Sequence, residues 1–600
     1  MANQRRSWAK RWLALRRDSA TRLVVPVVVT VAVILGTHPD NPGAVGEWGL
    51  IAVAPWQIFA AVVVLSVSFA LLLRRDSPSA VPLCAHLFAL ALLLHGLPSL
   101  LESEPRFSTA WLHAGFVSAI IEHKHPLGSL DARFSWPGFF TAMASVVGMS
   151  GNASALPFLR WTPLVSNVAY LLPLYVIART LLASRIRAWI TLWAFLLADW
   201  VGQDYFSPQG ASYFLFLSIL ALLVYAFGDG RPPPGIRLLP TRLGALLTQR
   251  ATAGAAFSYA QRAGLLLTLV AASAALTMSH QLTPVVLVVD VTALVLARQC
   301  SLRYFPLILL VLVAGWLSYG AVDYWSGHLS TLFGAGGSKS VAANVSQRVK
   351  GSSVHIDIVY LRVLFSAGVW VFGGLGAIIA LRAGRNVNLT ACLLAVVPFP
   401  LLLAQSYGGE AGLRLYFYTF PFWLILGVAA LPEDSLRRSW RPAIALSLAT
   451  PLVAVALLIA RFGNEEFEQV RPDEVAAAER LYQLAPRGSS LVSITPNVIW
   501  RYRAFTAYTY RPNTLDEFEL GTPQAILGVM GTNPLGSYLL ISRAQTTYAT
   551  VTYGLPADWG THVEELLARQ PQFRLVYENR DAHIYEVLTT PPPARQRVPH

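Results

Sequence analysis

The sequence predicts an α-helical multi-span membrane protein with a small α/β domain at its C-terminal end. Three observations predict it. Of the 600 residues 54% are apolar and only 13% charged, with a mean hydropathy of +0.50; a soluble domain has about 25% charged residues. Apolar runs long enough for a ~30 Å hydrocarbon core recur as far as residue 461. Beyond residue 464 the pattern changes to short apolar strands and amphipathic helices.

The net charge of +14 is spread over short loops on alternate sides of the runs, so it carries topology and does not point to nucleic acid. Cys84, Cys300 and Cys392 fall in or beside apolar runs, which leaves no disulfide framework and no zinc cluster to read. The first run has no cleavage site followed by a soluble chain, so it is not a signal peptide.

The basic N-terminus (1–22) is expected on the cytoplasmic side. Apolar runs then follow at about 23–37, 50–73 and 80–101, the third delivering Glu102 to the outer face. A polar, partly helical shelf occupies 102–155. Further runs lie at 162–180, 188–201, 211–227, 263–279, 284–297, 305–320, 356–380, 389–406, 415–431 and 442–460, giving about thirteen spans by the ~20-residue criterion. The runs 137–150 and 188–201 are short or polar enough to be re-entrant. Basic clusters fall on one side nearly throughout, and an odd span count places 464–590 outside the cell. That region reads as a helix at Pro472–Leu484, strands at Ser490–Ile494 and Tyr538–Ser542, a helix at Ala557–Gln570 and a hairpin around Asn579-Arg580-Asp581. The tail 591–600 reads as disordered.

The candidate chemistry lies in the outer loops. Glu102 and Glu104 stand two apart at a span end, where a carboxylate can take the proton of an attacking hydroxyl; acids that merely end a helix in interfacial water are the alternative. Asp131, Arg133 and Glu122 are weaker candidates on the same shelf, with His113 and Trp136 beside them. In GQDYFSPQG (Gly202–Gly210), Asp204 and Gln209 offer an acceptor and an amide, and Tyr205 with Phe206 offers apolar faces for a sugar ring or simply an interfacial belt. SHQLTP (Ser279–Pro284) places His280 and Gln281 at another span end. In YGGEAGLRLYFY (Tyr407–Tyr418), Glu410 and Arg414 stand at i, i+4, either as a helix-start ion pair or as an arginine oriented to bind phosphate. No P-loop, no G-x-G-x-x-G after a strand and no D-x-D in a cytosolic domain occurs, so the donor is not expected to be a cytosolic nucleotide sugar. No cofactor and no metal are indicated, although the i, i+2 spacing of Glu102 and Glu104 allows one carboxylate to bind a divalent metal while the other acts as base.

WPGFF at 136–140, DYFSPQG at 204–210, SHQLTP at 279–284 and YGGE…R at 407–414 resemble phrases of bacterial members of the GT-C superfamily, polytopic glycosyltransferases that use polyprenyl-phosphate-linked sugars. The resemblance implies that Glu102 or Glu104 is the base and that Arg106, Arg414 and His280 lie near the lipid phosphate. Two spans precede the loop that the superfamily places first, and its adjacent acid pair is Glu-Ser-Glu here. The function expected is transfer of a sugar from a polyprenyl-phosphate donor to an envelope glycan or lipid acceptor on the outer face of the bilayer, with inversion. The rivals are a transporter of lipid-linked sugars, for which the deep Asp290 is the lone mid-run acid, and a non-catalytic scaffold of envelope-polysaccharide assembly.

Overall fold

A computed structural model describes residues 22–37, 45–76, 78–128, 130–229, 257–325, 349–385, 387–404, 410–432, 434–511, 521–531 and 533–588. The basic N-terminus up to residue 21, the tail 591–600 and the Tyr407-Gly408-Gly409 part of the YGGE phrase lie outside them.

The protein is predominantly helical, a multi-span bundle with a small sheet domain at its C-terminal end. Seven described helices are long and apolar enough to cross a membrane: Trp56–Leu73, Thr162–Leu182, Pro208–Ala226, Tyr259–Ser279, Ser353–Arg382, Ala411–Ala429 and Arg441–Phe462. Shorter apolar helices fill the gaps at Arg22–Gly36, Ala80–Leu94, Gly138–Ser150, Thr283–Leu296 and Phe305–Tyr319. Many of their apolar side chains face outward (Leu172, Val311, Leu364 and Leu452 are all exposed), the pattern of helices solvated by lipid tails. Small residues set the closest crossing: a Cβ on Gly376 would lie 2.4 Å from Gly427 Cα, so Ser353–Arg382 and Ala411–Ala429 touch backbone to backbone.

The run 80–101 breaks at His95-Gly96 and resumes as the turn Leu97–Leu101. Arg160 closes that turn by donating to the carbonyls of Ser99 (2.9 Å) and Glu102 (2.8 Å), a cation on the free carbonyl end of a helix. The shelf follows. Its helix, Ser108–His123, buries Ala110, Trp111, Ala114, Phe116 and Val117.

The C-terminal domain is a five-stranded sheet, ordered β2-β1-β3-β5-β4, of β1 (Ser490–Ser493), β2 (Thr509–Arg511), β3 (Ser537–Ser542), β4 (Phe573–Glu578) and β5 (Ala582–Val587). β1 runs parallel to β2 and β3, while β3/β5 and β5/β4 are antiparallel. β1 and β3 are buried along their whole length, as their continuous apolar stretches demand. The hairpin around Asn579-Arg580-Asp581 is β4–β5, and the helices Pro472–Leu484 and Trp559–Ala568 stand where periodicity put them. β2 and the helices Pro523–Met530 and Arg543–Tyr553 carry too weak a period to be read from sequence.

This domain is bolted to the shelf. Val470, Ala478, Ile499, Tyr502 and Phe505 share one apolar cluster with Trp111, Phe116, Phe134, Phe140 and Phe206. The contact is so close that a Cβ on Gly115 would lie 1.7 Å from Arg501 O.

Candidate active site

Four segments far apart in the chain meet at one end of the bundle. Around a cavity of about 220 Å³ they place His113, Arg133, Trp136, Tyr205, Gln209, His280, Gln281 and Arg414. All eight were singled out in the sequence.

Local structure explains their positions. Ser207 caps the helix Pro208–Ala226, its hydroxyl accepting from Gly210 N–H at 3.1 Å, and Pro208 fills the first turn, where its missing N–H costs nothing. That helix starts at the cavity, so its positive end faces the space. Gln209 stands in its first turn, 3% exposed. The Gln209 Oε1 accepts from Arg414, and its Nε2 has no protein hydrogen-bond partner among the described residues.

His280 does for the helix Thr283–Leu296 what Ser207 does for its neighbour. Its Nδ1 accepts from the backbone N–H of Leu282 (3.3 Å) and Thr283 (3.2 Å). Two N–H donors aimed at one ring nitrogen require it to be unprotonated, so the proton sits on Nε2 and the ring is neutral. Burial, and then the nearby Arg414, push its pKa down to about 3. The Nε2–H is thereby fixed as a donor on the cavity that His280 lines. Arg414 is held from behind by Glu410, with Nη2 at 2.7 Å and Nε at 3.2 Å from Oε2. Arginine, a buried amide, a neutral imidazole and two helix N-termini make a site for an anion.

A second, apolar cavity of about 440 Å³ adjoins the first and shares Trp136, His280 and Gln281 with it. Leu282, Val285, Val313, Trp316, Leu317, Leu402 and Leu415 line its length. Trp316 Nε1 donates to Ser135 O (3.0 Å), Gln281 Nε2 donates to Tyr324 Oη (3.1 Å), and the rings of Trp136 and Tyr324 meet edge to face, which fixes the rim between the two spaces.

His113 lies on the shelf side. Its Nδ1 meets Phe206 O at 2.8 Å and its ring stacks on Tyr205, with centroids 5.7 Å apart. Burial lowers its pKa to about 4. A histidine kept neutral in the fold carries a proton penalty in acid. Both His113 and His280 contribute stability that is present above about pH 6.5, the ordinary histidine value, and lost as pH falls through about 4 and 3. The melting temperature in detergent is therefore expected to drop between pH 7 and pH 5, and a His113→Gln/His280→Asn double variant to show a flatter profile over that interval. An unchanged slope would show that neither ring is held neutral.

The carboxylates are arranged differently. Asp131 accepts from the Arg133 backbone N–H (3.0 Å), from its Nε (2.9 Å) and from its Nη2 (2.8 Å), and lies 3.6 Å from Arg501 of the C-terminal domain. Burial works to raise its pKa, and the bonds and charge of Arg133 with the charge of Arg501 outweigh that and hold it low. Asp131 is thus an ionised acid whose partner, Arg133, lines the cavity.

Glu102 is 2% exposed and belongs to a separate cluster with Glu465, Glu468 and Arg106. Arg106 binds Glu465 through Nε (2.8 Å) and also contacts Glu468. Burial first, then the charge of Glu465, raise the Glu102 pKa well above its ordinary value. Neither Glu102 nor Arg106 lines the cavity. Glu104 is partly buried, its pKa raised by burial against the opposing charge of Arg160. A carboxyl with a raised folded pKa contributes stability that is present below about pH 4.5 and lost as pH rises through the folded value. Glu102→Gln is accordingly expected to raise the melting temperature at pH 8, and an unchanged or lowered melting temperature there would show that the Glu102 carboxyl is ionised in the fold.

Asp204 points away from the cavity into the bundle. It is 1% exposed and accepts at both oxygens from a single nitrogen, Arg461 Nη2, at 2.7 Å each, with Asn167 adding a further bond. The partners Arg461, Arg501, Glu465 and Glu468 were not singled out from sequence. The run NEEFE directly after the last apolar stretch was the available signal for the last two. Among the described residues no group of three or more His, Cys, Asp or Glu side chains is placed to hold a metal ion.

No protein-family model matches the chain, and neither does any curated protein sequence. Solved structures do. One is the Archaeoglobus fulgidus oligosaccharyltransferase tethered to an acceptor peptide, at 11% identity over 84% of this chain and 73% of that one, with a TM-score of 0.46. Another is ArnT from Cupriavidus metallidurans bound to undecaprenyl phosphate, at 13% identity over 85% of this chain and 98% of that one, with a TM-score of 0.47. The archaeal enzyme is also known in complex with an inhibitory peptide and a dolichol-phosphate.

Proposed function

We propose that the chain is a membrane glycosyltransferase that moves a sugar from a polyprenyl-phosphate donor to a hydroxyl of an envelope glycan or lipid on the outer face of the bilayer. The observation that carries the reading is the pairing of the two cavities. An anion pocket built of Arg414, Gln209 and His280 opens across a shared rim onto a long apolar groove. A phosphate esterified to a hydrocarbon chain has this polarity, head in one space and tail in the other.

In the reaction proposed, the acceptor oxygen attacks the anomeric carbon as the bond from that carbon to the phosphate oxygen breaks. The electron pair leaves on the phosphate, where Arg414, the Gln209 amide and the His280 Nε2–H meet the developing charge. The acceptor's proton passes to Asp131, the ionised acid anchored to the cavity wall through Arg133. Attack opposite the leaving group inverts the sugar.

The test is transfer of radiolabelled sugar by the purified protein from a panel of decaprenyl- and undecaprenyl-phosphate sugars, beside Asp131→Asn. Turnover with one donor, lost in the variant at equal thermal stability, is the expected result. Donor-dependent stabilisation without turnover would favour a carrier of lipid-linked sugars. For that reading the relevant feature is Asp290, buried in the helix Thr283–Leu296 with neither oxygen hydrogen-bonded among the described residues.

A further inference from the structure

A third cavity, of about 540 Å³, shares no lining residue with the two described above. It lies where the C-terminal domain meets the membrane bundle. One wall is the helix Arg543–Tyr553 that follows β3, another the helix Trp559–Ala568, and the third is β5 with the turn before it. Two segments of the bundle close it: Glu47, from the stretch before Trp56–Leu73, and Ser352, the cap of Ser353–Arg382.

The seam is built to close tolerance. Ser352 N–H donates to Val551 O at 2.9 Å, and a Cβ on Gly351, where φ is +109°, would lie 2.1 Å from that same oxygen. A Cβ on Gly560 would lie 2.7 Å from Thr546 Cγ2, so the two wall helices are also held at a fixed spacing. Such a space is a property of the fold rather than loose packing.

Its chemistry is acceptor-rich. Thr546 and Thr550 turn their hydroxyl protons back to carbonyls of their own helix, those of Arg543 and Thr547, both at 3.0 Å. Their lone pairs remain for a guest. Glu47 and Glu466 add carboxylates, Glu466 Oε2 being buried without a hydrogen-bond partner among the described residues, and a third carboxylate, Glu564, is shared with His583 Nδ1 at 2.7 Å. Arg543 donates through Nη1 and Nη2 to the carbonyls of Glu466 and Gln469 while its Nε stays without a partner among the described residues, and with Arg580 it supplies donors to a lining whose carboxylates outnumber its guanidinium groups. A cavity of this size with surplus acceptors and acidic charge suits a guest that donates many hydrogen bonds and brings no negative charge.

We infer that this cavity binds a neutral polyhydroxyl glycan, a second carbohydrate site remote from the anion pocket. The inference rests on the proposed transferase reading only for the role of that glycan, which would be the acceptor chain held by the C-terminal domain while its end enters the pocket. The short segment Glu465–Glu468 puts Glu465 and Glu468 on Arg106 and Glu466 on this cavity.

The test is binding of the detergent-purified full chain to an array of neutral hexose and pentose oligosaccharides together with uronate-bearing ones. Neutral oligosaccharides are expected to bind, with at least a tenfold loss in Thr547→Trp, which fills the space, and a smaller loss in Thr547→Val at unchanged melting temperature. Arg414→Gln, which disables only the anion pocket, should bind the array like the wild type. Absence of binding, binding indifferent to both Thr547 variants, or preference for the uronate-bearing oligosaccharides would overturn the inference. Retained, Thr547-sensitive binding without any transfer from lipid-linked donors would sink the transferase reading alone.

Discussion

Arg414→Gln is expected to lower the proposed sugar transfer by about 10²–10³-fold, nearly all of it in kcat, because in that reaction the donor it removes acts on charge that develops only as the phosphate departs. The fold should hardly notice. Glu410, the carboxylate left behind, is more than a third exposed, and ion pairs of that kind contribute about 0–1 kcal/mol. Gln209 Oε1 loses a donor, and the amide of the new glutamine can reach part of the way back to it. Lysine at 414 should recover less than a tenth of the rate: a point charge cannot bond Gln209 and Glu410 while also facing a phosphate, as a forked guanidinium does. The measurement is steady-state transfer from the preferred donor beside a melting curve. A variant within a few-fold of wild type in kcat would remove the anion pocket from the chemistry.

Asp204→Ala is expected to do the opposite, costing the fold first. Its removal leaves Arg461, 5% exposed, without its carboxylate inside the bundle, and breaking a buried pair from one side costs about 3–5 kcal/mol. Little monodisperse protein should survive extraction, and what survives should melt well below wild type. Replacing both partners, as Asp204→Leu with Arg461→Met, should recover much of the loss, since the guanidinium and its carboxylate are then removed together. Size-exclusion profiles and melting curves of the two single variants and the double variant decide it. If Asp204→Ala is extracted normally and only transfer falls, Asp204 faces the substrate after all.

These two residues show what could be read from the sequence. Arg414 and Asp204 stood in equally suggestive phrases, each polar, each at the end of an apolar run. Hydropathy and charge alternation reveal that a run ends and on which side; they do not reveal which way its last side chain turns. Gln209, His280 and Arg414 turn toward one another, whereas Asp204, next to Tyr205 in the chain, turns inward to Arg461. The choice is made by residues more than 200 positions away, and a single sequence offers no period that links them. Helix starts were more legible. Ser207-Pro208 announces itself through capping chemistry that acts over three residues, and Pro284 marks a start by its place in a first turn. The hairpin β4–β5 was legible for the same reason, because its alternation and its turn are both local, while β2, three residues long and mostly exposed, has no such signature.

The closeness of Gly115 to Arg501 bears on how the molecule is made. The shelf helix leaves the ribosome some 385 residues before the segment that covers it, judged from the Ser118–Tyr502 contact. Until the sheet domain has been synthesised and has reached the same side of the bilayer, Phe116, Phe134 and Phe140 have no Phe505 or Tyr502 to pack against. The early loop must therefore wait, with its apolar face uncovered, for nearly the whole remainder of the chain. A nascent protein cut short after its last membrane helix would keep every apolar span and still present this face to the lipid surface or to chaperones. Quality control has a clear mark to read in that uncovered face.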